Sequence, residues 1–153
     1  MKIIWLDSTY IMPMVSIIRG CQLKLNFGPE LSWNEASITD AMSSGHVIGA
    51  IIDNKLVGFI LFINLGTEMK GPYEIWCLAT HPDYHKKGVM GSLLNEIKAL
   101  TSEIWLEVHE RNKQAMEFYK HKEFHEVGVR KRYYEDGGDA ILFSWNREKH
   151  KEF

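Results

Sequence analysis

The sequence predicts a single α/β domain with a mixed, mostly antiparallel central sheet flanked by helices. The chain has 153 residues, of which 45% are hydrophobic and 25% charged, and this is the composition of one compact globular domain. Short apolar runs bounded by turn residues alternate with segments whose apolar residues recur at helical spacing. No internal repeat or low-complexity linker divides the chain, so we expect one domain across residues 1–153.

The first half of the chain predicts a strand, two helices and a β-hairpin. Ser8 is a helix N-cap candidate because it directly follows a short apolar run, and Gly28-Pro29 interrupts regular structure further on. Asp53-Asn54-Lys55 is typical of a hairpin turn because it separates two strand-like runs. The predicted elements are a strand at Ile3–Leu6, a helix from Ser8 to about Arg19, an irregular segment at 20–34, a polar helix that follows Trp33-Asn34-Glu35 and ends near Gly45, and strands at Val47–Ile52 and Leu56–Ile63.

The second half alternates strands and helices and ends in a second hairpin. A strand ends at Thr80 because Pro82, which has no N–H for a sheet hydrogen bond, follows closely. The next helix has one apolar face, formed by Val89, Leu93, Leu94, Ile97 and Leu100. The predicted elements are strands at Tyr73–Thr80, Ile104–His109, Phe124–Tyr134 and Ala140–Trp145, helices from Gly88 to about Leu100 and from Asn112 to about Lys122, and a turn at Glu135–Asp139.

Composition disfavours several classes of protein. The formal net charge of -2 gives no basic field for attraction to nucleic acid. Cys21 and Cys77 are the only cysteines, so no disulfide framework is indicated, and no apolar run approaches the ~18 residues of a membrane span. His121 and His125 lie four residues apart but lack the rest of a metal-binding motif. We therefore expect a cytoplasmic protein with no metal, no nucleic-acid partner and no membrane partner.

The segment His85–Gly91 is the first candidate site, because Gly88-x-x-Gly91 opens an amphipathic helix directly after a strand and a short polar loop. The start of a helix offers unpaired backbone N–H groups and the positive end of the helix dipole, so its main chain can hold a diphosphate. The segment is neither a Walker loop nor a dinucleotide-binding fingerprint. A simple strand-to-helix turn with two glycines explains it equally well.

Glu107 and Tyr119 are the candidate chemical groups. Two-residue alternation places Glu107 on one face of its strand with Trp105 and His109. A carboxylate that is buried beside tryptophan is costly to ionise, which suits a general base, whereas an exposed or edge-strand glutamate has only a structural role. Tyr119 shares a helical face with apolar neighbours, so we expect a buried ring with its hydroxyl near a cleft, or simply a core tyrosine.

The order of these features resembles the GCN5-related N-acetyltransferase (GNAT) superfamily. The acetyl-CoA signature of that superfamily is Gln or Arg, two residues, Gly, one residue, and Gly or Ala; here His85 and Met90 occupy its first and last positions, and Gly91 follows. The likeness spans about residues 47–145 and is strongest to ribosomal-protein alanine N-acetyltransferases. The residues that carry it are Trp105-Leu106-Glu107-Val108, Asn112-x-x-Ala115-x-x-Phe118-Tyr119, Phe124 to Tyr134, and Asp139-Ala140.

The resemblance implies a GNAT fold, acetyl-CoA as acetyl donor and an amine as acceptor. It implies that Glu107 is the general base and Tyr119 the general acid. It also implies that the main chain of Leu78, Ala79 and Thr80 holds the pantetheine arm and polarises the thioester carbonyl. The residues expected to bind acetyl-CoA are Leu78, Ala79, Thr80, Lys86, Lys87, Gly88, Val89, Met90, Gly91 and Asn112.

The acceptor is the open question at this level. An α-amino group, with a pKa of ~7.7–8, is easier to neutralise than a lysine at ~10.4, so a carboxylate base mildly favours a protein N-terminus, such as that of a ribosomal protein. A small amine, such as a polyamine, amino acid or antibiotic, is the alternative acceptor. A non-catalytic acetyl-CoA sensor is the alternative outside enzymes. Residues 20–45 and 130–139 are the loops expected to determine which of these amines is the acceptor.

Overall fold

The computed structural model describes residues 1–22 and 33–148, which form one α/β domain. Two short 3-10 turns, at Ser8–Tyr10 and Pro82–Tyr84, precede longer helices. The strands are β1 Lys2–Trp5, β2 His46–Ile52, β3 Lys55–Asn64, β4 Tyr73–Thr80, β5 Glu103–His109, β6 His125–Arg130 and β7 Ala140–Asn146. The helices are α1 Ile11–Gln22, α2 Glu35–Met42, α3 Val89–Leu100 and α4 Lys113–His121.

The strands form one seven-stranded sheet in the order β1-β2-β3-β4-β5-β7-β6. Among the described strands only the β4–β5 pairing is parallel, which confirms the prediction of a mixed, mostly antiparallel sheet. This parallel pairing is short: it consists of two residue pairs, Tyr73 opposite Ile104 and Glu74 opposite Trp105. Beyond these two pairs β4 and β5 diverge, and a gap opens in the middle of the sheet.

A β-bulge in β4 lies where the divergence begins. Leu61 of β3 pairs with Cys77, whereas the next residue of β3 pairs with Ile75, so Trp76 is the extra residue. A bulge bends its strand and increases the local twist, which turns the end of β4 away from its neighbour. The shape of the gap is therefore encoded in β4 itself.

Helices cover both faces of the sheet. Buried residues of α1 and α2, including Met14 and Ile38, pack with Phe59 and Cys77 on one face. Buried residues of α3 and α4 pack against Ile75, Leu106 and other side chains on the opposite face. Each face buries its own apolar cluster, so the gap between β4 and β5 lies between two packed layers.

Several predicted boundaries differ from the structure for local reasons. Asp7, not Ser8, caps the first helical turn, because its Oδ1 accepts a hydrogen bond from the Thr9 N–H at 2.9 Å. The second helix ends at Met42 rather than near Gly45. Leu100 was predicted on the buried face of α3 but is 40% exposed, because it is the last residue of that helix.

The strand predicted to run from Phe124 to Tyr134 is shorter in the structure, where β6 ends at Arg130. The carboxylate of Asp139 accepts a hydrogen bond from the Arg132 N–H at 2.9 Å, and Arg132 has a positive φ of 51°. This local contact replaces the sheet bonds that a longer strand needs. The predicted breaker Gly28-Pro29 lies outside the described residues.

Candidate active site

The loop that leads into α3 is fixed by its own side chains. The Nε2 atom of His85 lies 2.8 Å from the carbonyl oxygen of Thr80, which also accepts a hydrogen bond from the Cys21 thiol at 3.4 Å. Lys87 places its ammonium group 5.5 Å from the centre of the Tyr84 ring. His85 therefore stabilises the loop by a side-chain contact within it. The Thr80 carbonyl at the end of β4 is the partner in that contact.

The N-terminus of α3 presents main-chain donors to open space. Gly88 is the N-cap residue, with a positive φ of 78° and no side-chain cap. The Ser92 N–H bonds the Gly88 carbonyl at 3.0 Å, so the N–H groups before Ser92 precede the first intrahelical bond. A Cβ on Gly88 would meet no atom within 4 Å. This cradle of N–H groups fits an anionic diphosphate.

Three lysines and one methionine surround this cradle. Lys86 and Lys87 are exposed on the loop, as the sequence indicates. Lys122, which the sequence pattern did not single out, follows α4, and its Nζ lies 3.0 Å from where a Cβ on Gly91 would stand. Met90 is partly buried and packs against the core, so this departure from the signature leaves the front of the cradle open.

The gap between β4 and β5 brings the two candidate chemical groups together. Glu107 points to the face of β5 opposite Leu106, and Tyr119 comes from α4 on the Leu106 side of the sheet. Both nevertheless line one small cavity of about 50 Å³. Its other lining residues are Trp33, Ile75, Trp76, Cys77, Leu78 and Leu106. The gap therefore connects the two faces of the sheet at these side chains.

Glu107 occupies a central strand and is neither fully buried nor freely exposed. Its side chain is 23% exposed, and its Oε1 lies 3.6 Å from the Nε of Arg130. Tyr133 is its second neighbour: the charge of Glu107, followed by burial and a hydrogen bond to Glu107, raises the pKa of the Tyr133 hydroxyl. The alternative of an edge-strand glutamate is wrong, because β5 lies between β4 and β7.

A larger cleft of about 280 Å³ extends outward from Glu107. Its walls are aromatic, and a second carboxylate, Glu74, lies within it, with its Oε1 accepting a hydrogen bond from Trp76 Nε1 at 3.0 Å. The lining residues are Trp33, Glu74, Ile75, Trp76, Glu107, Tyr133 and Tyr134. Sequence reasoning did not identify Trp33, Glu74 or Trp76 as site residues, although alternation along β4 places the last two on one face.

Asn112 and Tyr119 also have structural roles. Asn112 caps α4, because its Oδ1 accepts a hydrogen bond from the Ala115 N–H at 3.1 Å. Tyr119 is 6% exposed, and its ring packs against Phe124 and Phe143 at centroid distances of 5.6 and 6.2 Å. The ring thus belongs to the core while the residue lines the gap, as expected for a tyrosine fixed by packing at the edge of a cleft.

Residues 1–22 and 33–148 contain no group of three or more His, Cys, Asp or Glu side chains placed to hold a metal ion. No helix within the same described residues has the length and apolar character needed to cross a membrane.

Comparison with known proteins gives consistent matches. Residues 14–124 match the family described as "Acetyltransferase (GNAT) family". N-alpha-acetyltransferase RimI of Mycobacterium tuberculosis is 32% identical over 113 residues, which cover 71% of this chain and 72% of that protein. An uncharacterized protein of Mycobacterium leprae is 31% identical over 76% of this chain, which spans 34% of that protein's length. The crystal structure of ribosomal-protein-S18-alanine N-acetyltransferase from Escherichia coli superposes with a TM-score of 0.74 at 22% identity, covering 95% of this chain and 92% of that one.

Proposed function

The chain belongs to the GNAT family of acetyltransferases, and on that premise we propose that it acetylates the α-amino group of a protein N-terminus. As a member of the family it is an acetyl-CoA-dependent acyltransferase. The observation that carries the proposal is the gap in the sheet, which is lined by a carboxylate from one face and a tyrosine from the other. One face can then receive the acceptor while acetyl-CoA lies along the other.

The cradle before α3 is suited to the pyrophosphate of acetyl-CoA. The main-chain N–H groups of Gly88, Val89, Met90 and Gly91 would bind it, with Lys86, Lys87 and Lys122 adding positive charge nearby. The end of β4, at Leu78, Ala79 and Thr80, faces the gap beyond its last pair with β5, so main-chain groups there can hold the pantetheine arm. Asn112 would contact the same substrate from the start of α4.

The chemistry is direct transfer between two bound substrates. Acetyl-CoA supplies the acetyl group as a thioester. Glu107 takes a proton from the acceptor amine through a water molecule, and the amine nitrogen attacks the thioester carbonyl. As the C–S bond breaks, the Tyr119 hydroxyl gives its proton to the departing sulfur. An acceptor that binds as an ammonium first releases one proton to solvent, and the second proton is the one that Glu107 takes up. That proton then returns through water to the Tyr119 phenolate, so the products are the amide and the free thiol and both side chains, which line the same cavity, are restored.

An α-amino acceptor is supported by the cleft and by the relatives. Such an amine has a pKa of ~7.7–8, so a sizeable fraction of it is already neutral near pH 7 and a carboxylate base can remove the remaining proton. A lysine side chain, with a pKa of ~10.4, is almost fully protonated at that pH and is harder to deprotonate. The cleft of about 280 Å³ has aromatic walls and two carboxylates, which suit a short, positively charged end of a peptide. Relatives that are about 32% identical bear the name N-alpha-acetyltransferase.

We expect the protein to acetylate the N-terminus of a ribosomal-protein peptide in the presence of acetyl-CoA. The assay uses mass spectrometry to locate the added acetyl group. A matched peptide with a blocked N-terminus and an internal lysine is the control and should remain unmodified. Acetylation of lysine alone, or of polyamines, amino acids or aminoglycosides but no peptide, would contradict the proposed acceptor.

Tyr119→Phe is expected to lower kcat by about tenfold with little change in acetyl-CoA affinity. The loss is moderate because a thiol has a pKa near ~8.5, so its thiolate leaves readily even without a proton donor. Phenylalanine keeps the packing against Phe124 and Phe143, so the fold should be retained. Steady-state kinetics and calorimetric titration with acetyl-CoA provide the test. An unchanged kcat in this variant would show that Tyr119 is not the general acid.

A further inference from the structure

A buried histidine connects β5 to the loop between β6 and β7. The His109 side chain is 1% exposed, and its Nε2 lies 2.8 and 3.0 Å from the two carboxylate oxygens of Asp136. Its Nδ1 accepts a hydrogen bond from the Arg111 N–H at 3.1 Å. Because a backbone N–H only donates, the imidazole proton is on Nε2, where it is donated to Asp136.

Asp136 also accepts hydrogen bonds from other residues near this contact. It accepts hydrogen bonds from the Gly138 N–H and from the Arg111 guanidinium, each at 2.8 Å. The bond from His109, followed by that from Gly138, lowers the pKa of Asp136 to about 2. The carboxylate is therefore ionised at all ordinary pH values and keeps these donors together.

The same histidine orients the aromatic end of the loop. The Tyr134 ring stacks on the imidazole with a centroid distance of 4.9 Å and an interplanar angle of 16°. Tyr133 packs edge-on against Tyr134 at 5.2 Å, and both tyrosines line the cleft beside Glu107. A side chain at Gly138 would not fit, because its Cβ would stand 2.2 Å from His109 Nε2.

We propose that His109 and Asp136 form a positioning pair that holds Tyr133 and Tyr134 over Glu107 and so sets the affinity for the acceptor. The pair touches neither proposed substrate. It acts through the loop, on the acceptor side of the gap and away from the cradle at α3. The inference rests on the proposed function only for the identity of the acceptor.

His109→Phe separates the ring stacking of the imidazole from its hydrogen bonds. Phenylalanine keeps a ring that can stack on Tyr134 but has neither a donor for Asp136 nor an acceptor for the Arg111 N–H. We expect KM for the acceptor to rise by about tenfold, with KM for acetyl-CoA within about twofold of the original protein. Asp136→Ala, on the exposed side of the same contact, removes the acceptor and should shift KM in the same direction. If His109→Phe does not fold, Asp136→Ala alone decides the outcome.

His109→Gln is the conservative variant, since its amide can replace Nε2 as the donor to Asp136. We expect it to restore most of the acceptor affinity that His109→Phe loses. Lys131→Ala is the matched control in the loop, because Lys131 is 80% exposed and contacts only Asp139 among the ion pairs of the described residues. It should leave both KM values unchanged. Unchanged acceptor KM in His109→Phe and Asp136→Ala, or equal increases in both KM values, would overturn the proposal.

Hydrogen exchange gives a readout that does not depend on activity. The loop holds hydrogen bonds from Tyr134 N–H to the Gly138 carbonyl and from Gly137 N–H to the Tyr134 carbonyl. In His109→Phe, mass spectrometry should show faster exchange at residues 131–139 and no change at residues 85–91. Unchanged exchange in the loop contradicts the positioning role. If the unaltered protein acetylates no amine, the proposed function fails, and this comparison still decides whether the pair positions the loop.

Discussion

Replacement of Glu107 by Gln is expected to lower kcat by about 10²–10³-fold while acetyl-CoA affinity stays within about twofold. Glutamine has the same shape and can still accept the hydrogen bond from Tyr133, but it cannot take up the proton of the acceptor amine. The cradle at α3 is unaffected, because Glu107 lines the acceptor cleft and the gap rather than the loop before α3. Steady-state kinetics with a peptide acceptor and calorimetry with acetyl-CoA measure the two quantities separately.

The pH dependence of Glu107→Gln adds a second test of the same role. Above pH ~8 an α-amino group is largely neutral without help, so the deficit of the variant should shrink as pH rises. Glu74→Gln is the matched comparison, because Glu74 is the other carboxylate of the cleft. Its deficit should be much smaller and should not diminish with pH. A larger deficit for Glu74→Gln would transfer the role of base to that residue.

Local patterns in the sequence were sufficient for most of the fold. Tyr73–Thr80 was predicted with the bounds of β4, because Pro82 follows the end of the strand closely. Alternation in β5 also separated Glu107 from Leu106 correctly, and the burial pattern follows it as far as Val108, whereas His109 is buried as well. The loop at Asp53-Asn54 has positive φ values of 50° and 61°, as a tight hairpin turn requires.

The meeting of Glu107 with Tyr119 was predictable only from the family resemblance. Their side chains lie toward opposite faces of the sheet, and the cavity that both line exists because β4 and β5 diverge after two residue pairs. The bulge at Trp76 is a matter of register between β3 and β4, which apolar spacing along one strand does not reveal.

Polar contacts between residues far apart in the sequence were also not predictable from local patterns. His109 was recognised only as a member of the Glu107 face, since its partner Asp136 is 27 residues away. Tyr133 and Tyr134 were assigned both to the end of the strand predicted at Phe124–Tyr134 and to the acceptor loop expected at 130–139. In the structure the Asp136 and Asp139 side chains bond the backbone of this segment, so β6 ends early and the tyrosines line the cleft.

The second large effect is expected at Gly88, where a Gly88→Val substitution should weaken acetyl-CoA binding by about 10²-fold. A Cβ on Gly88, the N-cap of α3, would enter open space, so we expect a branched side chain there to compete with the pyrophosphate for the room beside the first N–H groups. Each hydrogen bond to a charged group contributes about 1.5–3 kcal/mol, so loss of two accounts for a change of this size. Calorimetric titration with acetyl-CoA measures the effect directly.

Gly137→Val provides a control with the same backbone strain. Gly137 has a φ of 82°, close to the 78° of Gly88, and a Cβ there also meets nothing within 4 Å. Both substitutions force a side chain into the left-handed region at about 1–2 kcal/mol, so the two variants should lose similar thermal stability. Only Gly88→Val should lose acetyl-CoA affinity. Equal affinities in the two variants would show that the main chain before α3 does not hold the pyrophosphate, and the binding role would then pass to the side chains of Lys86, Lys87 and Lys122.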